Sequence, residues 1–571
     1  MTEFGEVNKG YNGSTDQVLP ISMDTVASEN SKSTIPEKYK RMLKFGATTL
    51  IHVLVGVYFG YAIYYFTESE NGNVSNGEVN GRCTGKCGMQ FCSGFGMLVL
   101  LVGFVYFGLF YYYVFKPTIG RMIHRMFIQP ATKKLGELMK IRLFALMVTG
   151  IALVILAVFL YFNCRDEVEK LKGLLSPIIF IGAGYVFSTN RKAIQWRIVI
   201  TGIICQFLLA IVCIRWSVGR DIFQCIGDKV AIFLNFSEQG SLFVFGELIV
   251  LKEQVFAFAI LPVIFFFSFF ISMLYYLGTM QWVIIKLGWV LQSILGTTVC
   301  ESVTAAANIF LGMSESPLLI RPYIKSLTAS EIHSIMVSGF ATVSGTVLAA
   351  YMSFGASPAH LITSSVMAAP ATLAFSKLYL PETEESKTKS DNMELEKSED
   401  SSLLDAASNG ANAGIQIILG IIANIIAFIA FIAFLNAMVN WLGYLVGLNE
   451  IDFEWIFSKL FIPLAWIMGV PWTECDYVAK VVASKTIINE FVAYEKLGVF
   501  IEDGVLSERS IAIATFAICG FANPSSLGIL IGSLGTMAPE RRGLITSVAI
   551  RAFIVGSIVC FVSASFAGIL S

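Results

Sequence analysis

Three short polar stretches, set in an otherwise oily chain, hold the residues that could do chemistry. The first is 301–317, ESVTAAANIFLGMSESP, which places Glu301, Asn308, Gly312 and Glu315 in one segment. The second is 485–490, KTIINE, and the third is 520–526, GFANPSS. A carboxylate accepts hydrogen bonds from hydroxyl groups, and an Asn amide both donates and accepts them. Glu315, Glu490, Asn308 and Asn523 brought together would therefore suit a polar, neutral, hydroxyl-rich solute, with Phe521 available to stack on a planar ring. Backbone carbonyls freed at an unwound turn, joined by an Asn and a Ser or Thr oxygen, suit a hard cation such as Na+.

The surroundings make these residues costly. Apolar runs flank the first stretch, FAFAILPVIFFFSFFISML at 256–274 and FATVSGTVLAAYMSFG at 340–355. An ionisable group at bilayer depth costs several kcal/mol, so it persists where it faces a cavity or a ligand. Irregular backbone around 312–315 is tolerated at that depth only where it is buried in protein or lines a cavity. Glu315 thus reads as a site residue.

The chain has 571 residues, 55% hydrophobic and 14% charged, with a mean hydropathy of +0.70. Soluble domains carry about a quarter charged residues, so the class is a polytopic membrane protein. A net charge of −1 argues against a nucleic-acid partner. The 11 cysteines show no zinc-ligand spacing. Cys205, Cys213, Cys300, Cys519 and Cys560 lie in apolar runs as small core residues, whereas Cys83, Cys87 and Cys92 share a polar loop in which two could pair.

Stepping along the chain gives an all-α polytopic membrane protein of about 11 transmembrane helices, with two re-entrant hairpins in inverted-repeat halves. Residues 1–41 read as a disordered cytoplasmic tail and 42–170 as three extra N-terminal spans. The loop 116–142 is densely basic, which places it and the N-terminus in the cytoplasm and the loop 67–94, with its sequon at Asn73, outside. Residues 171–251 hold scaffold helices and a helix lying at the interface, with a second sequon at Asn235. From 252 a pattern occurs twice: a long span, a broken segment with a polar tip, a span with an interrupted middle, and a closing span. The first copy covers 252–380, a charged cytoplasmic linker follows at 381–411, and the second copy covers 412–571 and ends outside. Paired interrupted segments in inverted halves point to the midplane site of a secondary transporter.

The runs NIFLGMSESPLLIRPY (308–323), ATVSGTVLAAYMSFG (341–355), KTIINEFVAYEKL (485–497) and GFANPSSLGIL (520–530) resemble the concentrative nucleoside transporters over roughly 170–570. The N-terminal spans resemble the animal branch of that family. The resemblance implies a plasma-membrane symporter, a homotrimer, and Na+ as coupling ion with H+ as the alternative, with no organic cofactor. It implies nucleoside contacts from Gly312, Met313, Ser314, Glu315, Val347, Glu490, Phe521, Asn523 and Ser526, and selectivity set by Gly312, Met313, Thr346 and Val347. Sodium would be held by Asn308, the Leu311 carbonyl, Thr342 and the Val343 carbonyl, with Glu301 affecting cation coupling or serving a structural hydrogen bond. Many members of the family carry Gln where this chain has Met313, and a thioether offers polarizable contact in place of a base-edge hydrogen bond. Gly312–Met313 with Thr346–Val347 resembles the purine-preferring branch, in which uridine is also accepted. Lys485 reads as a partner to one carboxylate or as a snorkelling lysine, with the second reading preferred.

Rival readings are weaker. No HExxH, GxGD or Ser/His arrangement occurs in the spans, and His52, His124, His333 and His360 are scattered, which argues against an enzyme. A channel would give non-saturating flux, and a receptor would bind solute without accumulating it.

Overall fold

The computed structural model describes residues 37–70, 94–120, 167–387, 400–447 and 453–571, with the single positions 92, 122, 165 and 398. The expectations for most of the N-terminal tail, the sequon at Asn73, Cys83, Cys87, the span at 143–163 and most of the basic loop and charged linker fall outside these residues. All regular structure among the described residues is helical, and nine helical stretches are long and apolar enough to cross a bilayer.

The chain divides into two compact units, meeting at 128–129. In the first, α1 (Glu37–Glu70) and α2 (Gly94–Phe110) touch through a stack of Phe66 on Phe95 at 4.7 Å, and His52 Nδ1 bonds the Tyr106 hydroxyl at 3.0 Å. Their outward residues are large and apolar, as at Tyr58, Phe104 and Phe107, the surface a lipid-facing helix presents.

The second unit opens with α3 (Leu175–Phe187) and α4 (Trp196–Ala210). Next comes α5 (Ser217–Asn235), whose charged residues Arg220, Asp221, Asp228 and Lys229 are set among apolar positions, and which is not among the nine crossing stretches. It is followed by the short α6 (Ser237–Phe245). Cys92 of the first unit and Cys225 within α5 are each disulfide-bonded. Sequence reading had not singled out Cys225. The five cysteines expected in the core are free, four of them buried and Cys205 half-buried.

Two successive sets of helices follow, over the stretches in which the sequence pattern occurs twice. In the first copy, α7 (Val263–Tyr276) and α8 (Thr279–Leu295) lead to a limb α9 (Val299–Ala307), a tip at 308–315, and a return limb Ser316–Ser326. That return limb is 3-10 in form and contains Pro317 and Pro322, which lack the N–H an α-helix needs. A broken helix follows, α10 (Ala329–Phe340) and α11 (Gly345–Ser353), closed by α12 (Pro358–Tyr379). In the second copy α13 (Leu403–Leu445) and α14 (Phe453–Ile467) precede the limbs α15 (Cys475–Ile487) and α16 (Glu490–Glu502). The broken helix α17 (Glu508–Ile518) and α18 (Pro524–Met537) and the closing helix α19 (Arg542–Leu570) complete it.

The second copy packs through the first. Helix α19 lies against α10, α12 and α17, and α11 meets α16. α19 is buried nearly all round along its C-terminal half, which accounts for a sequence there without a polar face. The two broken helices cross closely at Gly520, where a Cβ would come within 2.7 Å of both the Phe340 carbonyl oxygen and the Cys560 Sγ. Only a residue without a side chain allows that approach.

Candidate functional site

Short helices beginning in mid-structure build the site. Ser344, Asn489 and Asn523 are the N-caps of α11, α16 and α18, each accepting a backbone N–H from two or three residues on. Asn and Ser are strong N-caps because a side-chain oxygen satisfies an otherwise orphaned N–H. All three caps line one cavity of about 320 Å³. Three positive helix ends therefore face the two carboxylates in its wall, Glu315 and Glu490.

Glu490 is 3% exposed and held from two sides. Its Oε1 accepts from the Tyr351 hydroxyl at 3.2 Å, and its Oε2 accepts from Asn523 Nδ2 at 2.6 Å. Asn523 does two jobs, since its Oδ1 accepts from Ser526 N at 2.9 Å. A carboxylate has about four lone-pair sites, so Glu490 keeps acceptor capacity toward the cavity. Glu315 accepts the Gly312 N–H at 2.8 Å through Oε2, which folds the 312–315 tip back on itself.

The structure brings Gly312, Met313, Ser314, Glu315, Thr346, Val347, Glu490, Phe521, Asn523 and Ser526 into this one cavity. Asn308 is not in its lining, contrary to the expectation that it would meet Glu315, Glu490 and Asn523. It stands behind the tip, where Nδ2 donates to Ser338 Oγ at 2.8 Å and Oδ1 accepts from Ser316 Oγ at 2.5 Å. Asn308 thereby ties both limbs to α10. Thr342 donates to the Ser338 carbonyl at 2.8 Å, so it converges on the same serine. Among the described residues the Leu311 and Val343 carbonyls accept no hydrogen bond. Carbonyl, amide and hydroxyl oxygens are the hard donor types that Na+ takes.

Glu301 lies elsewhere, in a second cavity of about 300 Å³ with Lys377, Glu382 and Thr298. Its carboxylate sits 3.0 Å from the Lys377 ammonium and accepts from Thr298 Oγ1 at 2.8 Å. Lys377 also reaches Glu382 at 3.3 Å and Ser330 Oγ at 2.9 Å. Sequence reading had not paired Glu301 with Lys377, 76 positions away. Lys485 is a correction: it is fully buried, among the described residues its Nζ donates no hydrogen bond, and the ammonium lies 5.9 Å from the Phe561 ring centroid. A snorkelling lysine would reach the interface, and this one does not.

One wall was missed altogether. Gln416, Ile417, Gly420, Ile421, Asn424 and Ile425 of α13 complete the cavity. A signal existed, because Gln416 and Asn424 are the only polar side chains between 413 and 435, and with Gly420 they run along one ridge at four-residue steps.

Limb pairs, broken helices and a polar cavity at helix ends define a secondary transporter. Comparison with known proteins names the family. Residues 175–248 match the Na+ dependent nucleoside transporter N-terminus, 257–358 the nucleoside recognition (gate) family, and 360–568 the Na+ dependent nucleoside transporter C-terminus. Solute carrier family 28 member 3 of Eptatretus stoutii is 45% identical over 419 residues, 71% of this chain and 61% of that protein. Sodium/nucleoside cotransporter 1 of Oryctolagus cuniculus is 42% identical over 488 residues, 83% of this chain and 72% of that protein. The solved structure of CNTnw in an inward-facing substrate-bound state matches with a TM-score of 0.66 and 37% identity, over 70% of this chain and 97% of that one. The chain belongs to the concentrative, Na+-dependent nucleoside transporter family, of animal type, a family of transporters and not of enzymes. The matched stretch spans under two thirds of the first-named relative's length.

Proposed function

We propose that this protein takes nucleosides into the cell by Na+-coupled symport at the plasma membrane, with purine nucleosides preferred and uridine accepted. The observation that carries this reading is the cavity itself. It sets Glu490, Asn523 and Ser526 opposite the 312–315 tip, in a volume within the usual range for small-molecule sites. The ribose hydroxyls donate to Glu490 and bond Asn523 and Ser526, Phe521 stacks beside the ring, and the base lies against Gly312, Met313, Ser314, Glu315, Thr346 and Val347. Na+ is held behind the tip by Asn308, Thr342 and the Leu311 and Val343 carbonyls. Because Asn308 also holds Ser316, a bound ion fixes the return limb and with it Glu315. Each ligand then raises the affinity of the other by the same factor.

In this reading the limb pairs re-enter the membrane and gate the site, and one body carries it across a scaffold in an elevator-like step. Inward Na+ flow drives accumulation, one charge at 100 mV being worth about 2.3 kcal/mol. The N-terminus is cytoplasmic, the C-terminus extracellular, and the working assembly is a homotrimer, as the family resemblance implies. Glu301 acts on coupling through Lys377.

The test is radiolabelled adenosine or inosine uptake in transport-deficient cells, in Na+ and in choline medium, with uridine and thymidine as competitors. Uptake that needs Na+, yields to inosine and resists thymidine is the expected result. Uptake indifferent to Na+ but raised by acid would move the coupling ion to H+. Absence of uptake by protein at the cell surface would overturn the reading.

A further inference from the structure

Four amide side chains line the central cavity: Gln416, Asn424, Asn489 and Asn523. Three are committed. Asn424 Nδ2 donates to the Gly420 carbonyl at 2.8 Å, Asn489 Oδ1 accepts from Val492 N at 3.1 Å, and both ends of Asn523 are used. Among the described residues Gln416 alone of the four makes no hydrogen bond; it is exposed and lines the cavity, on a stretch of helix rich in Ile, Ala, Leu and Gly. An amide in such a helix is costly unless it has a partner. Met313 on the facing tip offers no hydrogen bond to a base edge.

We propose that Gln416 is a specificity-determining residue that reads the base from the α13 wall and favours adenosine. This rests on the nucleoside reading above. A primary amide pairs in two-pronged fashion with adenine, its carbonyl accepting from the 6-amino group and its NH2 donating to N7. Hypoxanthine and guanine present two acceptors along that edge, N7 and the 6-oxo group, so they take only the donor half. A pyrimidine has no N7 at all. The residue therefore ranks adenosine above inosine and guanosine, and all of these above uridine, where Met313 by itself would not discriminate among purines.

Two probes test this in the full-length protein, with uptake as readout. In the unaltered chain, 7-deazaadenosine, which replaces N7 by a C–H, should compete about tenfold less well than adenosine. In Gln416→Leu the adenosine concentration for half-maximal uptake should rise about tenfold at unchanged maximal rate. Uridine should shift less than twofold, and the variant should no longer distinguish adenosine from its 7-deaza analogue. Equal potency of the two compounds in the unaltered chain would overturn the proposal without any variant. So would a Gln416→Leu protein in which adenosine and uridine affinities fall together, the mark of a merely structural wall residue. Failure of the nucleoside reading itself is separate, since it would show as absent uridine and adenosine uptake before any substitution.

Discussion

The Tyr351 hydroxyl, on the broken helix of the first repeat, donates to the Glu490 carboxylate, on the second limb pair, across 3.2 Å and 139 positions of chain. Both are buried, and the Tyr351 ring stacks on Tyr494 at 4.4 Å. The main carboxylate of one repeat is thus aimed by a side chain of the other. Hydrogen bonds to charged groups contribute about 1.5–3 kcal/mol. Tyr351→Phe keeps the stacked ring and should raise the nucleoside concentration for half-maximal uptake roughly tenfold. An unchanged value in a concentration series would remove Tyr351 from the site.

Sodium dependence should concentrate at Thr342. Thr342→Val preserves shape and removes one oxygen from the set proposed to hold Na+. A Na+ titration at saturating nucleoside should show a severalfold rise in half-activating Na+. The nucleoside half-saturation measured at very high Na+ should stay near its original value. A shift confined to the nucleoside would place Thr342 outside the ion site.

Met313→Gln adds a donor and an acceptor to the tip proposed to face the base. It should widen the substrate range, so that thymidine becomes an effective competitor while adenosine uptake persists. Competition curves on both proteins decide this. Thymidine remaining inert would mean that the tip does not set selectivity.

Glu301 and Lys377 form a buried ion pair with side chains 0% and 5% exposed. Removing one partner of such a pair leaves an uncompensated charge and costs about 3–5 kcal/mol. Glu301→Gln and Lys377→Met should each lower the unfolding temperature of purified protein, and the double variant should recover much of the loss. Additive losses would show that the two residues act independently.

The polar tips could be read from sequence because a break in an apolar run is a local signal. Gly312 and Glu315 announce a break inside an apolar run, and the stretch 520–526, GFANPSS, interrupts another. Tyr351, Lys377 and Gln416 were not legible for the opposite reason. Each acquires its role from a partner or a cavity wall far along the chain, and a tyrosine in an apolar run looks the same whether it packs or aims a carboxylate. Lys485 misled because length and an apolar stem suit snorkelling, while its burial depends on contacts far along the chain, such as the Phe561 ring.

The late position of α19 in the chain bears on how the protein is made. Helix α19 supplies the packing surface for α10, α12 and α17, and its Ser563 Oγ accepts from the buried Gln206 of α4 at 2.8 Å, a contact across 357 positions. While the ribosome is still at work, α10 and α12 must wait in the bilayer without the helix that packs on them. Gln206 waits without its partner, and Glu490 is not yet made. The first repeat is therefore an unfinished half during synthesis. Substitutions in α19, far from any ligand, should surface as retention in the endoplasmic reticulum before they surface as a change in transport.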